Sequence, residues 1–343
     1  MSASRLAPEW ERQDAIVIVW PHPYSDWAPR LEQIEPVYLQ ICKYVGKHQA
    51  IILIAYNEAH ALDIGNMLSA AGIGCENVSF ASIPTNDTWI RDYGPVCTVS
   101  DHRKFLLDFQ FDGWGQKYNW QLDNAVNANL VKNLRFKASY LCIDQVLEAG
   151  NIEINGQGEL LCSRTCFERD GPQPDTEFTQ LEKQLEHRLG CRKVHWLDQV
   201  QLAGDDTCGH VDTLARFCTN DIIAYSACQN PKDVNHEALG QLSMQLLEIN
   251  KQGGNRFELV PLQMPDPIFL NGQQLPATYT NFLITNDCVL VPVFHDRQDD
   301  CTLKLMDELF PDREIVDIES GALIRQRGGL HCAAMQIPEG FIA

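Results

Sequence analysis

Short apolar runs alternate along this chain with longer segments whose apolar residues recur at helical spacing. Apolar runs bounded by turn-forming residues predict buried strands, and recurrence at every third or fourth residue predicts amphipathic helices. The predicted strands are DAIVIV, QAIILIAY, FLLDFQF, GELLC, DIIAYSA, NFLIT, CVLVPVF and HCAAMQI. The predicted helices are PVYLQICKYVGKH, NEAHALDIGNMLSAAGI, TQLEKQLEHRL, HEALGQLSMQLLEI and CTLKLMDELF. Alternating strands and helices predict an α/β fold.

Capping and turn residues indicate where the predicted elements begin and end. Asn57 can cap the second helix, and Gly72 follows its last apolar residues. No Pro/Gly/Ser-rich linker and no run of like charge divides the chain. We therefore expect residues 1–343 to form a single domain.

In five segments, polar residues lie at one end of a predicted strand. They are TNDTWIRDYGPV, LEAGNIEI, AGDDTCGHVDTLARF, LPATYTNFLIT and RGGLHCAAMQI. Tens of residues separate one from the next, as in an array of repeated modules, although identity between the segments is weak. In such an array the strand ends would converge on one shared site.

Composition narrows the classes of partner. The chain is 45% hydrophobic and 21% charged, as in an ordinary globular protein, and its formal net charge is -19. That charge opposes binding to nucleic acid and to anionic membranes, and it favours a small cationic partner. The alternative is that the surplus carboxylates only aid solubility. No apolar stretch approaches the roughly 20 residues that a membrane-spanning helix needs.

Cysteine usage indicates the compartment. The thirteen cysteines are scattered from Cys42 to Cys332, and the start of the chain lacks the basic and apolar regions of a secretory signal. Reduced thiols and a cytoplasmic location follow. Cys162 and Cys166 have no second pair at zinc-ligand spacing, so we expect no metal site.

The segment DDTCGHVDTLARF carries one candidate for chemistry. His210 and Asp212 are separated by one residue, so in an extended segment both side chains would point to the same face. A proton shuttle would then lie beside a carboxylate able to hold a cation. The alternative is a solvated acidic turn with an incidental histidine.

The segment TNDTWIRDYGPV combines Trp89 with the carboxylate of Asp92. An aromatic face and a carboxylate suit a planar cation, which can stack and form charge-assisted hydrogen bonds. Alternatively, the segment is a salt-bridged turn with a core tryptophan.

Near the end of the chain, Gly328 and Gly329 precede Cys332. A cysteine that follows glycines at the start of a strand can face a ligand and be activated by nearby positive charge, or it can simply be a small buried hydrophobe. Two weaker candidates are Glu148, which could orient a histidine, and Trp114, which could wall a pocket.

In this order the segments resemble the agmatine deiminase and bacterial-type peptidylarginine deiminase family of the guanidino-group-modifying, or pentein, superfamily. The resemblance runs from PEWERQDAIVIVWPH through NDTWIRDYGP, FDGWGQKY, LEAGNIEI, DDTCGHVDTLARF and LPATYTNFLI to GGLHC, nearly the whole chain. It implies a five-module α/β propeller with pseudo-fivefold symmetry, a central active site, and no metal or organic cofactor.

The resemblance also implies roles for particular residues. Cys332 would be the nucleophile and His210 the general acid and base, while Asp92 and Asp212 would bind the guanidinium. Glu148 would be the acidic partner of the histidine. Trp89 would flank the substrate, and we add Trp114 to the pocket.

These expectations give a functional hypothesis. The partner is a small guanidino cation, and the reaction is hydrolysis of agmatine to N-carbamoylputrescine and ammonia. The alternatives are deimination of free or peptide-bound arginine, amidino transfer to an amine, and a silent guanidine- or polyamine-binding protein. Ala149 and Cys208 depart from the family pattern, which leaves the substrate open. Homo-oligomer formation, and any effect of His331 or Cys208 on the nucleophile, are open as well.

Overall fold

A computed structural model describes residues 5–100, 103–168 and 175–343. The strands, in chain order, are β1 Arg5–Leu6, β2 Gln13–Val19, β3 Ala50–Ala55, β4 Val78–Ser82, β5 Val96–Ser100, β6 Arg103–Gln110, β7 Ser139–Val146, β8 Ile152–Ile154, β9 Glu159–Ser163, β10 Lys193–Leu197, β11 Ala215–Phe217, β12 Ile222–Ala227, β13 Glu258–Gln263, β14 Phe269–Leu270, β15 Gln273–Gln274, β16 Leu283–Ile284, β17 Cys288–Val293, β18 Glu314–Glu319 and β19 Ala334–Pro338. The α-helices are α1 Leu31–Val45, α2 Glu58–Ala70, α3 Ile90–Tyr93, α4 Gly113–Gln116, α5 Val126–Asn133, α6 Asp175–Leu189, α7 His236–Gln252, α8 Asp299–Leu309 and α9 Gly321–Ile324. The predicted α/β class is confirmed.

Five sheets share one pattern of pairing. In each, a first strand runs antiparallel to a central strand, and the central strand pairs in parallel with a third strand that follows a helix. The sheets are β5–β6–β7, β8–β9–β10, β11–β12–β13, β16–β17–β18 and β19–β2–β3. Within the described residues, β1 extends the first of these, β4 extends the last, and each sheet is open rather than closed on itself.

The two ends of the chain meet in one sheet. Ala334 of β19 pairs with Ile18 of β2, so the last strand lies beside the first long strand. Every residue of β2 from Ala15 to Val19 is buried, since strands flank it on both sides and helices cover the sheet. The C-terminal segment that carries Cys332 is thereby fixed against the N-terminal part of the fold.

Two details of the predicted helices were tested by the structure. Asn57 caps α2 as predicted, because its side chain accepts a hydrogen bond from the backbone N–H of His60 at 2.9 Å. The predicted start of α1 at Pro36 was wrong, because the helix begins at Leu31 and Pro36 lies inside it. Pro36 has no backbone N–H, so the second turn of α1 lacks one intrahelical hydrogen bond.

Several outer strands were not predicted. β7, β13 and β18 lie at sheet edges, and exposed positions interrupt their apolar residues. An edge strand with one solvent-exposed face lacks the continuous apolar run that predicts the central strands β3 and β17.

Apolar side chains from the sheets and helices pack into three clusters, the largest of which surrounds β2, β3 and α1. All thirteen cysteines lie in the described residues as free thiols. Of the helices in those ranges, none has the length and apolar character needed to cross a bilayer.

Candidate active site

The five polar segments occupy equivalent places in the five sheets, because each lies directly before the first strand of its sheet. Asp92 is in α3 before β5, and Glu148 precedes a 3₁₀ turn, Ala149–Asn151, before β8. Another 3₁₀ turn, Val211–Thr213, holds Asp212 before β11. Asn281 precedes β16, and Cys332 precedes β19. The same step in every module therefore delivers at least one polar group of the candidate site.

The local geometry of His210 and Asp212 differs from the expectation of an extended segment. His210 caps the 3₁₀ turn that contains Asp212. The turn forms because the hydroxyl of Thr213 donates to the carbonyl of His210 at 2.8 Å. Both side chains nevertheless line the same pocket.

His210 is a buried histidine held between two carboxylates. Its Nε2 lies 2.6 Å from Oε2 of Glu148, and its Nδ1 lies 3.5 Å from Oδ1 of Asp92. Burial alone would lower the pKa of His210, but the charges of Asp92 and Glu148 and the hydrogen bond to Glu148 raise it to about 9. The imidazole therefore carries a proton at neutral pH.

Asp92 is oriented by two donors. The indole Nε1 of Trp114 donates to Asp92 Oδ2 at 2.9 Å, and the backbone N–H of Gly150 donates to Oδ1 at 3.1 Å. Burial raises the pKa of Asp92 to about 6, although His210 opposes the rise. Trp89, also buried, completes this wall of the pocket.

Cys332 lies beside Asp212 and Asn281. Its Sγ is 3.6 Å from Asp212 Oδ2, and the side-chain amide of Asn281 donates to Sγ at 3.4 Å. Burial raises the pKa of the thiol well above its usual range, and the charges of Asp212 and Asp92 raise it further. The unliganded site therefore holds a neutral thiol.

The pKa of Asp212 is lowered, whereas those of Cys332 and Asp92 are raised. Burial alone would raise its pKa, but the hydrogen bond from His331 and the charge of that residue lower it. The two carboxylates of the site thus titrate separately, and Asp212 stays ionised at a pH where Asp92 begins to take up a proton.

Two buried polar atoms beside the pocket have no hydrogen-bond partner in the described structure, namely His210 Nδ1 and Asp212 Oδ1. The pocket brings together six of the seven predicted residues, namely Trp89, Asp92, Trp114, His210, Asp212 and Cys332. Glu148 lies behind His210 and contacts the site through the imidazole. An unmet donor or acceptor in a buried pocket indicates a ligand that supplies the missing partner. A planar cation with several N–H donors fits beside two carboxylates.

Sequence reasoning missed two residues of this site. Asn281 anchors the nucleophile segment, since its Oδ1 accepts from the backbone N–H groups of His331 at 2.9 Å and Cys332 at 3.4 Å. Gly150 lies in LEAGNIEI, one of the five polar segments, but sequence reasoning did not single it out. Asn281 lies directly before a strand, as the other site residues do, and that position was the signal by which it could have been found.

One loop near the pocket mouth has an unusual backbone. Gly113, Trp114, Gly115 and Gln116 all have positive φ, from 56° to 78°. Glycine adopts this region freely, but Trp114 and Gln116 do not, so their conformation is strained. In this conformation the Trp114 indole donates to Asp92. The loop is held to the segment that carries Asp206 by Tyr118 and Lys117, which both hydrogen-bond to that residue.

Known proteins resemble this chain over nearly its whole length. Residues 5–338 match the Porphyromonas-type peptidyl-arginine deiminase family. The chain is 26% identical to agmatine deiminase of Medicago truncatula, and the match covers 97% of this chain and 96% of that protein.

Solved structures give closer matches. An agmatine deiminase of C. jejuni, a Cys→Ser variant with substrate bound, is 33% identical with a TM-score of 0.90, and the match covers 98% of this chain and 97% of that one. A Porphyromonas gingivalis protein provisionally named an arginine deiminase is 34% identical with a TM-score of 0.90, over 99% of this chain and 100% of that one. Family match, sequence identity and fold agree along the full length, and the chain belongs to the Porphyromonas-type peptidyl-arginine deiminase family.

Proposed function

We propose that this chain is an agmatine deiminase, which hydrolyses agmatine to N-carbamoylputrescine and ammonia. One observation carries the proposal: a thiol, an imidazolium and two carboxylates, from segments that precede three different sheets, border a single pocket. The substrate-bound agmatine deiminase of C. jejuni has the same fold and about a third of the same residues. Both support a hydrolase that acts on the C–N bonds of a guanidino group.

Binding of the guanidinium is assigned to Asp92 and Asp212. Each carboxylate can accept paired N–H donors from the planar cation, and Asp212 Oδ1 is an acceptor without a partner in the described residues. Trp89 flanks the cation, and Trp114 holds Asp92 in place. Bound between two fixed carboxylates, the central carbon is presented to the thiol in one orientation.

The first half-reaction removes ammonia. The bound cation lowers the pKa of the Cys332 thiol, which loses its proton to solvent, and the resulting thiolate attacks the guanidino carbon. His210 carries the proton needed by the leaving nitrogen and donates it from Nδ1, because Nε2 is occupied by Glu148. The C–N bond breaks, ammonia departs, and an amidino-thioether remains on the sulfur.

The second half-reaction uses water. His210, now neutral, takes a proton from a water molecule, and the oxygen attacks the same carbon. Collapse of this tetrahedral species breaks the C–S bond, and its hydroxyl proton passes to solvent as the ureido product forms. The sulfur leaves as thiolate and takes up a proton from solvent to restore the neutral thiol. Glu148 supports the histidine in both steps, because its charge stabilises the imidazolium form.

Architecture and setting are part of the proposal. We place the five sheets around a pseudo-fivefold axis as a five-module α/β propeller, with 1–343 as one domain and the site at its centre. The shared pairing pattern and the equivalent positions of the five polar segments support this arrangement. Free thiols support a reducing, cytoplasmic location.

The pocket mouth favours agmatine over arginine. Four further aspartates, Asp26, Asp87, Asp205 and Asp206, line the pocket and suit the distal ammonium group of agmatine. Arg325 and Arg327 also line it and could meet a carboxylate, so deimination of free or peptide-bound arginine is the second candidate. The guanidines of both substrates would occupy the same inner site.

A substrate panel tests the proposal. Agmatine, arginine and a peptide ending in arginine are each incubated with wild type, Cys332→Ala and Cys218→Ala, and the ureido product is measured. We expect turnover of agmatine that Cys332→Ala abolishes and Cys218→Ala preserves, because Cys218 is a buried thiol in another part of the core.

Each of the other outcomes selects a different function. Preference for arginine or the peptide would replace agmatine as substrate, and equal activity of Cys332→Ala would end the covalent mechanism. Transfer of the amidino group to an added amine in place of water would identify an amidinotransferase. Tight binding of agmatine without ammonia release would identify a binding protein.

A further inference from the structure

His331, the neighbour of the nucleophile, lies outside the pocket and is held between two carboxylates. Its Nδ1 is 2.8 Å from Asp212 Oδ2, and its Nε2 is 2.8 Å from Glu9 Oε2. The ring is buried and borders a separate cavity, lined also by Glu9 and Arg91, rather than the pocket. A neutral imidazole has one donor and one acceptor, whereas an ionised carboxylate can only accept. With a carboxylate at each ring nitrogen, either both nitrogens are protonated or one carboxyl is.

Glu9 cannot provide the missing proton. Its Oε1 accepts from the backbone N–H of Ile284 at 2.6 Å, and its Oε2 also accepts from Arg216 Nη2 at 2.6 Å. Burial alone would raise the pKa of Glu9, but Arg216 and His331 hold it well below its usual range. The Nε2 of His331 therefore donates to an ionised carboxylate.

The second proton lies either on Nδ1 of His331 or on Asp212. If Nδ1 were unprotonated, Asp212 would have to carry a proton to bond with it, and a neutral Asp212 could not hold a guanidinium by charge. The charged groups that face His331 decide between these forms. They are Glu9, Glu153 and Asp212, which are acidic, and Arg91 and Arg216, which are basic.

Burial raises the pKa of Glu153, so this carboxyl does not decide the charge balance. The pKa of Asp212 is lowered, so its Oδ2, 2.8 Å from Nδ1, is an ionised acceptor and Nδ1 must carry the proton. Buried charge without a counter-charge is costly, so the protonated ring is the stable form. Glu153 is itself engaged by Arg216, whose Nε donates to it at 2.8 Å, and Arg91 Nε lies 3.4 Å from the carbonyl oxygen of His331. His331 is then the cation nearest to Asp212 on the side away from the pocket.

We propose that His331 is a positioning residue: a doubly protonated imidazolium, fixed by Glu9, that keeps Asp212 ionised and aimed at the guanidino substrate. It does not touch substrate and acts through Asp212. The inference rests on the proposed function, since it names what prepares the guanidinium site before the cation arrives. It assigns the effect of His331 to the carboxylate and not to the thiol.

The backbone at His331 is anchored independently of the ring. Asn281 Oδ1 accepts from the N–H groups of His331 and Cys332, and its carbonyl also accepts from His331 at 3.2 Å. A His331→Gln variant therefore keeps the nucleophile segment in place. His195→Gln is the matched control, because His195 is a buried histidine 2.8 Å from Glu159 that borders no part of the pocket.

The test is the pH dependence of kcat/KM for agmatine. In wild type we expect the acid limb to follow protonation of Asp92, whose pKa burial raises to about 6. In His331→Gln a second group, Asp212, joins the titration, so the limb should steepen and move to higher pH. KM should rise by about tenfold or more near neutral pH, because ground-state binding of the cation is lost. His195→Gln should keep the wild-type limb and KM.

Nitrogen-15 NMR of the histidine rings gives a readout that does not need turnover. We expect directly bonded protons on both ring nitrogens of His331 in wild type, and loss of one of them in Glu9→Gln. Thermal melting checks that each variant is folded.

These measurements separate the two proposals. No turnover of agmatine by wild type would end the proposed function, and the ring signals would still decide the state of His331. An unshifted acid limb in folded His331→Gln, or a singly protonated ring in wild type, would overturn the inference.

Discussion

Among single residues, His210 has the charge state on which the chemistry depends most. Its pKa of about 9 arises because Asp92 and Glu148 outweigh the effect of burial. A raised pKa means that the proton is present below about pH 9 and is lost above it. Donation to the leaving nitrogen should therefore fail on the alkaline side, and kcat/KM should fall above about pH 9.

Glu148→Gln tests that cause directly. The amide keeps the size of the side chain and removes its charge, so the pKa of His210 should fall and the alkaline limb of kcat/KM should move to lower pH. At about pH 8 we expect activity to drop by about tenfold or more. The measurement is the pH profile of ammonia release from agmatine.

A second histidine–carboxylate pair gives the control for this change. Glu159 lies 2.8 Å from His195, away from the pocket, so Glu159→Gln should leave the profile unchanged. A Glu148→Gln profile that coincides with that of wild type would show that another group sets the alkaline limb.

The short turns before the strands are the elements that set the geometry of the site. In the 3₁₀ turn Ala149–Asn151, Gly150 lies so close to its neighbours that an added Cβ would be 2.6 Å from Asp92 Oδ1 and 2.6 Å from His210 Nδ1. Ordinary contacts of a Cβ atom are longer than this, so a side chain here must displace the carboxylate or the imidazole. The glycine is required for close approach and not for a left-handed backbone.

Gly150→Ala should therefore inactivate the protein and leave it folded. We expect kcat/KM for agmatine to fall by about a hundredfold or more, because small misplacements of catalytic groups are costly. Thermal melting should show little change. Gly65→Ala in α2 is the control, since an added Cβ there meets nothing within 4 Å. Full activity of Gly150→Ala would show that the site tolerates a shift of His210 or Asp92.

Sequence reasoning succeeded for elements whose environment is uniform. β3 and β17 are buried on both faces, so their apolar runs are unbroken, and the cap of α2 is a local interaction. It failed where burial changes along the element, as in β13 and β18, and where a turn replaced an extended segment at His210. Local patterns carry no information about which strand lies at a sheet edge.

For the whole molecule, the decisive feature is the convergence of distant segments. Asp92 and Cys332 are 240 positions apart in the sequence, and the pairing of β2 with β19 helps to bring the second of them to the site. The sequence identifies the five polar segments, and resemblance to a family supplies their roles. Distances, and partners such as Asn281 and Glu9, needed the three-dimensional fold because they join positions with no local relation.

The covalent intermediate on Cys332 is the central claim, and acid-quenched intact-protein mass spectrometry during turnover tests it most directly. We predict a species heavier than the free enzyme by the mass of agmatine less one ammonia, mapped by peptide digestion to Cys332 and missing in Cys332→Ala. Turnover at full rate with no such species under any quench time, or with the adduct on another residue, would contradict the account.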